Sequence, residues 1–142
     1  MIKITVLGAL MVSAAALAHD GASGVVKERM DRFGASKDSA KAIRGGLKSG
    51  DFARIQTHAR ALNTWAAEMT TYFPEGSNPS PSEALDSVWT DWAGFSAKAG
   101  DYEMATARLL SVSQTSDSDA TAVAFKQVMV SCKGCHDDYK AD

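Results

Sequence analysis

Residues 51–73, DFARIQTHARALNTWAAEMTTYF, set Phe52, Ile55, Ala59, Leu62, Ala66, Met69 and Phe73 at steps of three and four, the period of a helix with one buried face. Asp51 can cap this segment, and Pro74 with the Gly76-Ser77-Asn78-Pro79 stretch breaks it into a loop. The same period continues on both sides. Upstream, Val26, Met30, Phe33, Ala40 and Leu47 mark one face of a helix over roughly residues 22–45, with Gly45-Gly46 as its natural stop. Downstream, Ser80-Pro81-Ser82-Glu83 reads as a capped helix start with a proline at the first position. Leu85, Val88, Trp92, Phe95, Ala99, Tyr102, Thr106 and Leu109 then carry a largely apolar stripe past a weak point at Gly100 to the polar linker 113–119. A last helix, capped by Ser116 with Asp119, bears Phe125, Val128, Met129 and Cys132 and ends in the charged tail 137–142.

Strand-like alternation and internal repeats are absent from this sequence, so the fold class is all-α. Amphipathic segments on short or moderate connections bury their stripes most simply as an antiparallel up-down-up-down four-helix bundle, with cofactor space between facing helices. A helical array of another topology is the lesser option.

The chain has 142 residues, 45% of them hydrophobic and 23% charged, the profile of one soluble domain. Lys3 precedes an apolar run from Ile4 to Leu17 that is too short to span a bilayer and ends in Ala16-Leu17-Ala18, a small-x-small cleavage pattern. The expectation is a signal peptide over 1–18, cleaved after Ala18, and an exported, periplasmic domain over 19–142 with no stable membrane anchor. Fifteen basic residues face 17 acidic ones, a formal charge of −2, and loss of Lys3 leaves 14 against 17, or −3. That balance offers no basic stripe for nucleic acid and no polybasic cluster for anionic lipid, though an acidic surface can steer a basic partner.

The two cysteines of the chain, Cys132 and Cys135, stand in Cys132-Lys133-Gly134-Cys135-His136. In an oxidising compartment such a pair can be a disulfide, a redox couple, half a zinc site or a haem tether. The histidine favours the tether, in which both thiols add to haem vinyl groups and His136 ligates the iron. On a helix Cys135 lies roughly 60° to one side of Cys132 and His136 roughly 40° to the other, so one turn can hold a porphyrin edge and its iron. A thioredoxin-type couple would need a βαβ context, and a closed zinc site would need His19 or His58 from afar. His58, among polar residues of the second helix, reads as a surface histidine, and His19 as a new amino terminus with no second histidine placed to help it chelate copper.

With their flanks these residues resemble the class II cytochromes c, the cytochrome c prime group, four-helix bundles whose haem motif lies near the C-terminus. The resemblance runs over Ser131-Cys132-Lys133-Gly134-Cys135-His136-Asp137-Asp138-Tyr139-Lys140, Tyr72-Phe73-Pro74 and Val88-Trp89-Thr90-Asp91-Trp92-Ala93-Gly94-Phe95. It implies one covalent haem c on Cys132 and Cys135, His136 as proximal ligand, Trp89 packed near the haem and Lys140 near the proximal face. It also implies a distal residue on the first helix four before a glycine, here Met30 before Gly34. A methionine there resembles the low-spin branch, although Met30 also fits plain core. The family often has an arginine four positions before the distal residue, near the propionates; this chain has Val26 there, with Lys27 or Arg29 left to reach instead.

The resulting expectation is a periplasmic electron carrier, not an enzyme, with His136 and Met30 setting the haem potential. It would meet redox partner proteins and exist as monomer or homodimer. The alternative is a five-coordinate protein that binds nitric oxide or carbon monoxide at an open distal site.

Overall fold

A computed structural model describes residues 21–141. The expected signal peptide, its expected cleavage point and His19 lie outside the described residues. The elements are α1 (Gly24–Ser49), α2 (Phe52–Glu68), a 3-10 turn (Met69–Tyr72), the single turn α3 (Ser87–Thr90), α4 (Trp92–Ser113) and α5 (Ser118–Tyr139). The four long helices form the expected antiparallel bundle.

Asp51 caps α2 as its sequence suggests, its carboxylate accepting from the Arg54 amide at 3.0 Å. At the start of α5 the cap is Asp117, which accepts from Ala120 N at 2.9 Å, one residue past the expected Ser116. Helix α1 runs through Gly45-Gly46 and stops at Gly50, whose φ of 71° places it in the left-handed region. Gly46 is instead a crossing point. A side chain there would meet Ile55 Cγ1 at 2.7 Å and the Asp51 carbonyl at 3.0 Å, so only glycine lets α1 and α2 approach so closely at their shared corner.

The stretch 80–86 is not a helix start. The Ser82 hydroxyl accepts from Ala84 N, Leu85 N donates to Tyr139 O, and Ala84 forms an antiparallel bridge with Lys140. These amides are committed to the end of α5 and to a turn, so helical pairing is delayed until Ser87. Helix α4 then starts at Trp92 under Asp91, whose side chain accepts from Gly94 N.

The core is built from Ile43, Ile55, Leu62, Val88, Phe95, Leu109 and Val128, each at most 2% exposed, with Trp65, Met69 and Phe125 around them. Packing is extensive between α1 and α2, α2 and α4, and α4 and α5, and slight between α1 and α5. The apolar face expected for α1 explains that asymmetry. Helix α1 buries Val26, Arg29, Ser39, Ala42, Ile43 and Gly46, whereas Met30, Phe33 and Ala40 line a cavity.

Candidate haem site

The cavity has a volume of about 610 Å³ and opens between α1 and α5. Its α5 wall carries Val128, Met129, Cys132, Cys135, His136 and Tyr139, and its α1 wall Met30, Phe33, Gly34, Lys37, Lys41 and Arg44. Leu62, Met69, Phe95 and Tyr102 of the neighbouring helices close the back. The size lies within the range of cofactor pockets, and the charges on the α1 wall are buried Arg29 and exposed Lys37, Lys41 and Arg44.

Cys132, Cys135 and His136 come together on one wall, as the helical spacing requires. Both cysteines are half-buried free thiols. Burial raises the Cys132 thiol, and burial together with the neighbouring Cys132 pushes Cys135 up to about 11, with Lys98 pulling the other way. For His136, burial and then Lys140 lower the pKa, against Asp137 and Glu83. The imidazole is thus held in its neutral form, the one that binds a metal. Paired thiols one helical turn apart, a neutral imidazole beside them and an apolar cavity in front fit a covalently held haem.

Tyr102 of α4 bridges the back of the cavity. Its hydroxyl pairs with Ser36 of α1, and its pKa is raised by burial and by the nearby Cys132. Trp89 is half-buried and is not among the residues lining the cavity. Its indole N–H donates to the carbonyls of Phe73 at 3.1 Å and Pro74 at 3.0 Å, and its ring packs on Phe73, which does line the cavity. Lys140 stands at the rim, 3.0 Å from Glu83. His58 is half-buried, with Nδ1 3.2 Å from the Ser39 hydroxyl.

Arg29 is a residue of the cavity that neither motif nor periodicity singles out. It is 2% exposed and lines the cavity, with its guanidinium on neutral oxygens: Ser77 Oγ at 2.9 Å, Ser77 O at 2.6 Å, Ser82 Oγ at 2.7 Å and Tyr72 O at 3.3 Å. It also lies over Phe73, 4.7 Å from the ring centroid, and 5.9 Å from that of Trp89. Burial lowers its pKa yet leaves the guanidinium charged. Phe33 follows Arg29 by four residues. Its ring stands on the cavity wall, edge-on to Trp65 at 5.3 Å and Phe73 at 6.4 Å. Val26, placed by the sequence reading where an arginine was expected, is simply core. The spacing of arginine and bulky apolar residue was present in the sequence, three positions further along.

The family model described as Cytochrome C′ matches residues 24–140. Cytochrome c′ of Rhodospirillum rubrum is 30% identical over 145 aligned positions, covering 100% of this chain and 98% of that protein. The structure of cytochrome c prime from Shewanella frigidimarina superposes with a TM-score of 0.77 at 30% identity, over 83% of this chain and 94% of that one. The nitric oxide complex of a variant cytochrome c prime from Alcaligenes xylosoxidans gives a TM-score of 0.75 at 26% identity, over 83% and 94%.

These likenesses correct the expectation of a Met30-ligated electron carrier. A thioether on the iron would fill the place a diatomic ligand takes, and the relative solved with nitric oxide favours the gas-binding alternative. Met30 lies on the cavity wall with Phe33 and Gly34. The family carries covalent haem c, and by sequence, bundle architecture and cavity alike this chain belongs to the cytochrome c′ family.

Proposed function

We propose that this protein is a five-coordinate c-type haem protein that binds nitric oxide or carbon monoxide on the α1 side of the haem. The observation that carries the reading is that one cavity is walled by Cys132, Cys135 and His136 on α5 and by an α1 face that includes Met30, Phe33 and Ala40. Cys132 and Cys135 would hold the haem covalently and His136 would ligate its iron, and the haem when bound would supply an iron able to accept a diatomic ligand. Phe33 has no atom able to bind iron, and on the α1 wall it would restrict access by size. Arg29 is the cation placed to meet a propionate, with Trp89 and Phe73 packed against it. The protein acts by binding and needs no catalytic acid or base.

Export is part of the reading. The 1–18 segment supplies a leader, no helix among the described residues is long and apolar enough to cross a membrane, and the haem motif suits a periplasmic protein. The protein works as a monomer or a homodimer.

Visible spectra of the purified holoprotein test the core of this proposal. The expected result is a high-spin ferrous form that shifts on adding carbon monoxide, with colour retained by the polypeptide after acid extraction. A low-spin ferrous spectrum indifferent to carbon monoxide would overturn it. Pigment that washes out with acid would overturn the attachment through Cys132 and Cys135.

A further inference from the structure

A second cavity, of about 580 Å³, lies in a groove between α1 and α2. Ala35, Ser36 and Ser39 line it from α1, and Ala61, Leu62 and Trp65 from α2. Two of these residues, Ser36 and Leu62, also line the haem cavity. A third, Trp65, packs edge-on against Phe33 with ring centroids 5.3 Å apart, and Phe33 stands on the haem-cavity wall. The two spaces are therefore divided by a single layer of side chains: one hydroxymethyl group, one isobutyl group and a pair of rings.

Charge stays at the outer rim of the groove. Asp31, Arg32 and Arg60 are exposed there; Asp31 pairs with Lys27, and Arg32 with Glu68 at 3.3 Å and the Tyr72 hydroxyl at 2.8 Å. The floor is small or apolar, with Leu62 2% and Trp65 4% exposed. Such a surface admits an uncharged molecule at little cost, whereas an ion would have to give up its hydration. The partition is also unevenly held. The Ser36 hydroxyl is tied to Arg32 O at 2.9 Å, but the buried Trp65 indole N–H finds no hydrogen-bond partner among the described residues. No hydrogen bond is lost when that ring tilts. A haem tethered to Cys132 and Cys135 would itself stand in the opening between α1 and α5, so the groove is the passage that reaches the α1 wall without crossing the haem.

We propose that the groove between α1 and α2 is the route by which a small uncharged ligand, carbon monoxide or nitric oxide, reaches the α1 wall of the haem cavity, with Ser36, Leu62 and the Phe33–Trp65 ring pair as its gate. The proposal rests on the reading of this protein as a binder of diatomic ligands.

Ala61→Trp fills the groove from an exposed position of α2 that does not line the haem cavity, and Thr64→Trp does so from a second one. A plugged route slows passage in both directions and leaves the affinity alone. In flash photolysis and stopped-flow measurements on the holoprotein, each variant is expected to slow carbon monoxide association and dissociation alike by about tenfold, with equilibrium affinity and ferrous spectrum unchanged. Xenon reads the groove without any reaction at iron. Crystals of the wild-type holoprotein under xenon pressure are expected to hold it against Leu62 and Trp65, and those of Ala61→Trp are not. Wild-type rates in both variants, or an altered affinity at an unaltered association rate, would overturn the route, as would a wild-type groove that takes up no xenon. Absence of any carbon monoxide complex in the wild-type protein would instead overturn the diatomic-ligand reading on which the route rests.

Discussion

The phenol of Tyr139 donates to the carboxylate of Asp91 at 2.7 Å, joining the last turn of the helix that carries the cysteine motif to the residue that caps α4. Gly94 lies in the crook of this pair. A methyl group there would overlap both the Asp91 carboxylate and the Tyr139 hydroxyl. Gly94→Ala is therefore expected to part the two side chains and to cost about 1–3 kcal/mol of stability through overpacking. Urea unfolding of the holoprotein measures it, and an unchanged midpoint would mean that the contact yields freely.

Phe33 and Met30 share the α1 wall but are expected to behave differently. Phe33→Ala removes the bulk over the open axial side and is expected to speed carbon monoxide association on the order of tenfold, a barrier change of about 1.4 kcal/mol. Met30→Ala is expected to keep the high-spin ferrous spectrum. Flash photolysis and visible spectra of the two variants, side by side, decide whether the wall residue has been identified correctly.

Arg29 ties α1 to the loop through Ser77 and Ser82. Replacing it by methionine leaves buried oxygens without a donor and is expected to cost about 2–4 kcal/mol. Arg29→Lys keeps the charge but not the planar fork, so it is expected to recover only part of that loss. Denaturation curves for the pair would refute the account if lysine restored full stability.

Asp117 offers a control remote from the haem motif, at the opposite end of α5. Asp117→Ala removes the acceptor for Ala120 N and is expected to cost about 1 kcal/mol, the usual value of a lost helix cap. Haem spectra of this variant should match wild type. A spectral change would show that fraying at the start of α5 travels along the helix.

The bundle was legible in the sequence because its helices announce themselves by period, and Asp51 by its capping chemistry. The start at Ser80 misled for a physical reason. A capping box describes only local hydrogen bonds, whereas Ala84 and Leu85 pair with residues more than fifty positions away. The cysteine-histidine wall was legible because it lies within one turn. The wall facing it was not, since Met30 and Phe33 lie on the same helical stripe and periodicity cannot say which of them stands opposite His136. Nor can it separate a stripe that meets a cofactor from one that meets core: Met30, Phe33 and Ala40 read like core, while α1 actually buries Ala42 and Ile43. The buried state of Arg29 was the missing signal, and only tertiary structure supplies it.

The slight packing between α1 and α5 gives the pocket two walls of unequal stiffness. The α5 wall is fastened at its end by Leu85, Ser87, Ala141 and Asp91, whereas α1 leans on α2 from behind and meets little in front. A ligand that needs room would take it from the α1 side, where the packing against α5 is slight. Discrimination between ligands of different size would then be an elastic property of one helix, and amide exchange along Met30–Lys41 would report it.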